Sequence, residues 1–177
     1  TASNGLLPSP VVDWRRQHDM DLLNGASTFR DKHKAHIERI RQSVANFFDA
    51  SETEVALVPN ISFGMNTLLD GLPKEKKILL LKNDYPSVNW PVETRNFNVC
   101  YAEIDENLEQ NIEAAVAEHK PDVFMFSIVQ WLNGIKIDFD FLKRLKAYHP
   151  NLLLIADGTQ YMGTEYFSFA ESPIDVL

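Results

Sequence analysis

The sequence predicts an α/β fold, a mostly parallel sheet with helices on both faces. Three observations predict it. Short, nearly unbroken apolar runs recur, as in Ile78-Leu79-Leu80-Leu81, Val123-Phe124-Met125-Phe126 and Leu152-Leu153-Leu154-Ile155-Ala156. Such runs read as strands buried on both faces. Stretches of helical apolar spacing separate them. Polar loops rich in acids, amides and aromatics follow the runs, and in a parallel sheet such loops gather at one edge, where ligands bind.

Taken in order, residues 1–10 read as a loop rich in Ser, Asn, Gly and Pro. Residues 11–23 suit a short helix, broken at Gly25-Ala26-Ser27-Thr28. A stronger helix spans residues 29–48, with Ile37, Ile40, Val44, Phe47 and Phe48 on one face. His33 and His36 share a face there, without a third ligand nearby, so a solvated face is favoured over a metal site. Residues 54–59 read as a first strand ending at Pro59, followed by a helix over 63–72 closed by Gly71 and Pro73. Residues 76–81 are a second strand, and 86–97 suit a helix with proline in its first turn. Further strands are expected at 99–104, 122–127 and 152–156. Between them Leu108, Ile112, Ala115 and Val116 mark one helix, and Phe141, Leu142, Leu145 and Tyr148 another, stopped by Pro150. Residues 162–177 are less regular. The expected organisation is an N-terminal segment and helix over 1–50 packing on a partial large domain over 51–177.

The net charge of -8 argues against a general nucleic-acid or anionic-membrane binder. Apolar runs are strand-sized rather than membrane-spanning. Cys100 is the only cysteine, so a disulfide framework is excluded and a cysteine-ligated metal is not expected. A buried, inert thiol in a strand is the favoured reading, and a cytoplasmic, reducing compartment fits it.

Four loops carry the chemistry. Leu152 to Ala156 ends at Asp157, followed by Gly158, Thr159 and Gln160. A charged group beside a buried strand needs a partner, and a cationic ligand nitrogen suits it. Asp-Gly is also a common turn pair. Pro59-Asn60-Ile61-Ser62-Phe63-Gly64 joins a strand to a helix start, where free amides and the helix dipole favour an anion. Ser62 suits either a plain N-cap or a hydroxyl donated to phosphate. Neither a Walker lysine motif nor a GxGxxG fingerprint is present. Asn83-Asp84-Tyr85-Pro86-Ser87 places Tyr85 at the same edge, where an aromatic can stack on a flat ring, although Tyr85 and Trp90 could equally close the core. Ser127 to Gly134 adds Gln130, Trp131 and Asn133. An anion cradle, a stacking aromatic and an acid for a ring nitrogen together suit an aromatic cationic ring carrying a phosphate.

These segments, in this order, resemble the fold-type I pyridoxal-phosphate enzymes. The likeness is narrower to the class V aminotransferase group, with its cysteine desulfurases, selenocysteine lyases, kynureninases and isopenicillin-N-epimerase-like proteins. The resemblance implies pyridoxal 5'-phosphate as cofactor. Asp157 would be the pyridinium partner, Gln160 the contact to the ring hydroxyl, and Tyr85 the stacking residue. Ile61 and Ser62 would form the phosphate cradle, and the loop holding Gln130 would add a polar contact, with the match ambiguous between Gln130 and Trp131. Residues 1–8 resemble the family's substrate-side segment. Ile61 stands where the family often has a hydroxyl residue. Tyr85 replaces the histidine of true desulfurases and is closer to the kynureninase-like and epimerase-like pattern.

The resemblance further implies an amino-acid substrate and a homodimer. Transamination, lyase, desulfurase and epimerase chemistry all share this half of the fold. The family's Schiff-base lysine follows the Asp-x-x-Gln segment by one strand, and no lysine lies beyond Lys146 here. That lysine, the rest of the large domain and the small domain are expected beyond Leu177, which would leave this stretch alone inactive. Rival readings are a non-catalytic homologue and an α/β module binding another phosphorylated ligand.

Overall fold

The computed structural model describes residues 5–177 and divides into two compact units, Thr1–Leu57 and Val58–Leu177. Part of the expected N-terminal loop and substrate-side segment, residues 1–4, lies outside the described residues.

The first unit is helical. Helix α1 (Ser9–Gly25) has proline in its first turn, where a missing N–H costs nothing. A 3-10 turn at Ala26–Phe29 takes the place of the expected break and leads into α2 (Arg30–Phe47). Trp14 stacks with both His18 and His36, with ring centroids 5.0 and 5.4 Å away. His33 and Phe29 meet His18 edge-on. These rings line a cavity of about 410 Å³, to which Lys32, Arg39 and Asp21 also contribute. Among the described residues no group of His, Cys, Asp or Glu is placed to hold a metal ion.

The second unit holds a four-stranded parallel sheet of order β2-β1-β3-β4. Its strands are β1 (Lys77–Leu81), β2 (Asn98–Ala102), β3 (Val123–Ser127) and β4 (Leu153–Asp157). Helices α3 (Ile61–Gly71) and α4 (Pro86–Glu93) flank β1 in sequence, α5 (Leu108–His119) links β2 to β3, and α6 (Phe139–Tyr148) links β3 to β4. The pleat sorts the strand residues. Ile78, Leu80, Val123, Met125 and Ile155 cluster with Met65 and Leu69 of α3 and Val88 and Val92 of α4. The alternate residues Leu79, Phe124, Phe126 and Leu154 point to the opposite face and are also fully buried. Crossovers between parallel strands are right-handed. The step from β1 to β2 runs one way along the sheet, while the steps from β2 to β3 and β3 to β4 run the other. Helix α4 therefore covers one face, and α5 and α6 the other.

Cys100 is buried in β2 with its sulfur 3.7 Å from the Ile78 carbonyl, and burial pushes its thiol pKa up. Asp138 caps α6 by accepting from the Phe141 amide at 2.9 Å.

Two expectations change. Residues 54–59 are not a strand. A 3-10 turn occupies Glu52–Glu54, closed by a Ser51/Glu54 capping box, and Val55 to Pro59 continue irregularly. A strand needs a ladder partner, and Leu57 and Val58 instead lie about half exposed. The sheet thus has four strands rather than five. Along α2 itself, Ile37 and Ile40 are exposed and Phe47 strongly so, while Val44 and Phe48 are half-buried. The second change is that α4 stops at Glu93, short of Phe97. Thr94 donates its hydroxyl to the Trp90 carbonyl and Arg95 its guanidinium to the Pro91 carbonyl, satisfying the terminal acceptors.

Candidate functional site at the carboxyl edge of the sheet

Strand order reverses between β1 and β3, so the loops after these strands leave in opposite directions and open a crevice at the carboxyl edge. Open α/β sheets bind ligands at such a switch point. The ladder itself shows the split. Strand β1 pairs with β3 only from Ile78↔Val123 to Leu80↔Met125. The β3–β4 ladder continues to Ser127↔Asp157.

Asp157 ends β4 and is 4% exposed. Its Oδ1 accepts from the Thr159 amide at 2.8 Å, and its carbonyl accepts from the Ile128 amide at 3.0 Å. Thr159 and Gln160 lie exposed just beyond. Gly158 lets the following segment pack close. A Cβ there would lie 2.7 Å from Met162 Cγ and 2.9 Å from Leu177 Cδ1.

Tyr85 occupies the N-cap position of α4, 39% exposed, so it does not close the core. Trp90 is more exposed still. Ser62 is not the N-cap of α3. Asn60 is, accepting from the Phe63 amide at 2.9 Å. Ile61 and Ser62 therefore open the helix, at positions whose amides precede its first internal bond. The Ser62 hydroxyl donates to Ser87 Oγ at 2.9 Å, tying the start of α3 to the first turn of α4.

The loop after β3 divides its two candidates. Gln130 is 2% exposed and donates Nε2 to the Ser127 carbonyl at 2.7 Å, while its buried Oε1 makes no hydrogen bond. Trp131 is half exposed. It donates Nε1 to the Asn83 carbonyl at 3.2 Å and meets the Tyr85 ring edge-on at 6.0 Å. Gln130 thus braces the strand end, and Trp131 braces the loop that carries Tyr85. Asn133 accepts from the Ile135 amide and shapes the turn.

A second buried acid precedes Tyr85 in the loop after β1. Asp84 is 4% exposed. Its Oδ1 accepts from the Tyr85 amide at 2.6 Å and its Oδ2 from the Ser127 amide at 2.7 Å. Burial pushes its pKa above the ordinary value of 3.8. The Ser127 and Tyr85 bonds oppose the rise and the charge on Asp157 adds to it. The Ser127 hydroxyl faces the same carboxylate without meeting hydrogen-bond geometry. The available signal was the one that marked Asp157, an acid just beyond a buried run. Ser87 carried no such signal.

A family model described as aminotransferase class V matches residues 8–177. The chain therefore belongs to the class V aminotransferase family. No curated protein sequence matches it. Among solved structures it is similar to a complex of the cystine C-S lyase C-DES with its reaction product cysteine persulfide, at 18% identity and TM-score 0.85, covering 98% of this chain and 50% of that one. It is similar to a C-DES mutant with glycine covalently linked to the PLP cofactor, at 17% identity and TM-score 0.82, covering 98% and 49%. It is also similar to the apo cysteine desulfurase of Thermococcus onnurineus NA1, at 17% identity and TM-score 0.80, covering 98% and 46%. Identities this low establish the shared fold. The chain spans about half the length of these structures.

Proposed function

We propose, with membership of the class V aminotransferase family as premise, that the intact protein is a pyridoxal-phosphate-dependent enzyme acting on an amino acid. One observation carries the reading. The buried Asp157 carboxylate stands at the carboxyl edge of the sheet, laddered to Ser127 beside the switch-point crevice.

The residues of this edge fit the cofactor. The Ile61 and Ser62 amides, at the start of α3, suit its phosphate, and the Ser62 hydroxyl can add a donor. Tyr85 offers a ring face for stacking. Gln160 supplies an amide for the ring hydroxyl. Gln130 Oε1, in the loop after β3, is a buried polar atom without a hydrogen bond, a setting that favours a polar ligand over an apolar one.

Bound pyridoxal phosphate supplies an electron sink for the pair left when a bond to the amino acid's α-carbon breaks. Asp157 holds a proton on the ring nitrogen and so keeps the ring electron-poor. Tyr85 orients the ring and keeps water from one face. The amides of Ile61 and Ser62 anchor the phosphate end. Tyr85, where desulfurases carry a histidine, favours kynureninase-like or epimerase-like chemistry over desulfuration. A homodimer belongs to the same reading on family likeness, and a cytoplasmic location on the lone, buried thiol of Cys100.

The intact protein is expected to show a visible absorption band that borohydride bleaches. Asp157→Asn is expected to retain the band while lowering turnover about a hundredfold, or ~2.7 kcal/mol in the barrier. An intact protein without such a band, after incubation with the cofactor, would sink the proposal.

A further inference from the structure

We infer that Asp84 is the positioning residue of this site: its carboxylate joins the loop carrying Tyr85 to the end of β3, and so sets where the Tyr85 ring stands relative to Asp157. The inference rests on the pyridoxal-phosphate reading for its ligand, but its structural part stands without it.

The argument begins with the interrupted ladder. Strand β1 pairs with β2 through Leu81↔Ala102, and β3 pairs with β4 through Ser127↔Asp157. Between them, β1 and β3 part after Leu80↔Met125. The Ser127 amide is then left at a buried position facing the crevice, and a buried amide needs an acceptor. Asp84 Oδ2 supplies it at 2.7 Å, from across the split. The other oxygen, Oδ1, holds the amide of the next residue, Tyr85, at 2.6 Å. One side chain thus bridges the point where the strand order reverses.

The position requires a carboxylate. Two N–H donors converge on it, and an ionised carboxylate is acceptor-only. Asparagine has one acceptor oxygen, and its NH2 would oppose one of the amides. The surroundings extend the bridge in both directions. Trp131 Nε1 holds the Asn83 carbonyl at 3.2 Å, and Asn89 Nδ2 holds the Leu81 carbonyl at 2.8 Å. From Ser127 the register passes directly to Asp157. Asp84 touches neither the proposed ring nor the substrate, and acts through Tyr85 and Ser127.

The test is a mutant cycle in the intact protein, read by equilibrium dialysis of pyridoxal 5'-phosphate and by amide hydrogen exchange. Asp84→Asn is expected to weaken cofactor binding about tenfold when Tyr85 is present and less than twofold in a Tyr85→Ala background, because its effect passes through the tyrosine. Equal losses in both backgrounds, or binding within twofold of wild type, overturn the inference. If Asp84→Asn does not fold, Asp84→Glu replaces it. This variant keeps both acceptors on an arm one methylene longer, and about a threefold loss confined to the Tyr85 background is expected. If the wild type binds no pyridoxal phosphate, the functional reading fails and the exchange arm decides alone. The Ser127 and Tyr85 amides must exchange slowly in wild type and at least tenfold faster in the variant, or the bridge is refuted.

Discussion

The two ends of the β1–β3 pair are each closed by an aspartate that accepts a backbone amide across the gap. At the amino edge Asp122 Oδ2 accepts from the Lys77 amide at 2.9 Å, and its Oδ1 pairs with Lys76 Nζ at 2.9 Å. Its side chain is 41% exposed, and the Lys77 amide together with Lys76 holds its pKa below the ordinary value. At the carboxyl edge Asp84 has the same bridging role with no cation among its bonded partners. Burial drives its pKa the other way, with Asp157 adding to the effect. Matched geometry with opposite electrostatics separates two purposes. A carboxylate in water beside a lysine contributes modestly to holding strands together. A buried carboxylate next to another acid is electrostatically costly, and such costs collect where a ligand acts.

The largest test asks whether the ladder or the aspartates hold the pair. Leu80 and Met125 form its last rung and are fully buried. Leu80→Ala is expected to cost about 2–5 kcal/mol in guanidinium unfolding, more than losing either aspartate. A smaller cost than that of Asp84→Asn would show that the carboxyl edge, not the ladder, carries the stability.

Asp84→Asn comes next. It leaves one buried amide without an acceptor, a loss of about 1–3 kcal/mol, offset by removal of a desolvated charge. The pH dependence separates the two contributions. With a folded pKa above the ordinary 3.8, the native state holds extra proton between those values. Wild-type stability from this group is therefore full below 3.8 and lost as pH rises through the raised pKa. Unfolding midpoints measured across that interval should slope downward in wild type and lose this component in Asp84→Asn.

Asp122→Asn should give the smallest change and the opposite slope. A lowered folded pKa contributes stability above 3.8 that disappears as pH falls through the folded value. Its side chain and that of Lys76 are each 41% exposed, so the loss at neutral pH should stay under about 1 kcal/mol. A steeper acid-side slope in the variant than in wild type would contradict the assignment.

Much of this was legible in the residues. The strands β1, β3 and β4 follow from apolar runs too short for helices, and α5 and α6 from apolar positions at helical spacing. Asp157 announced itself as a charge at the end of such a run. The reading of residues 54–59 failed because an apolar run shows only that a segment could be a strand. Whether another strand lies beside it is a non-local matter. Gln130 and Trp131 were inseparable in sequence. Only the fold turned one under the strand end and the other onto the loop that carries Tyr85.

By itself the sequence determined the α/β alternation, a helix with proline in its first turn at Pro86, and the presence of polar groups after buried strands, because these depend on local periodicity and on backbone geometry. The tertiary structure alone decided the strand order β2-β1-β3-β4, and with it the split between β1 and β3. Strand order depends on pairings between residues far apart in the chain, which no local pattern encodes. The role of Asp84 depends on that choice: where the two strands part, its Oδ2 accepts the Ser127 amide.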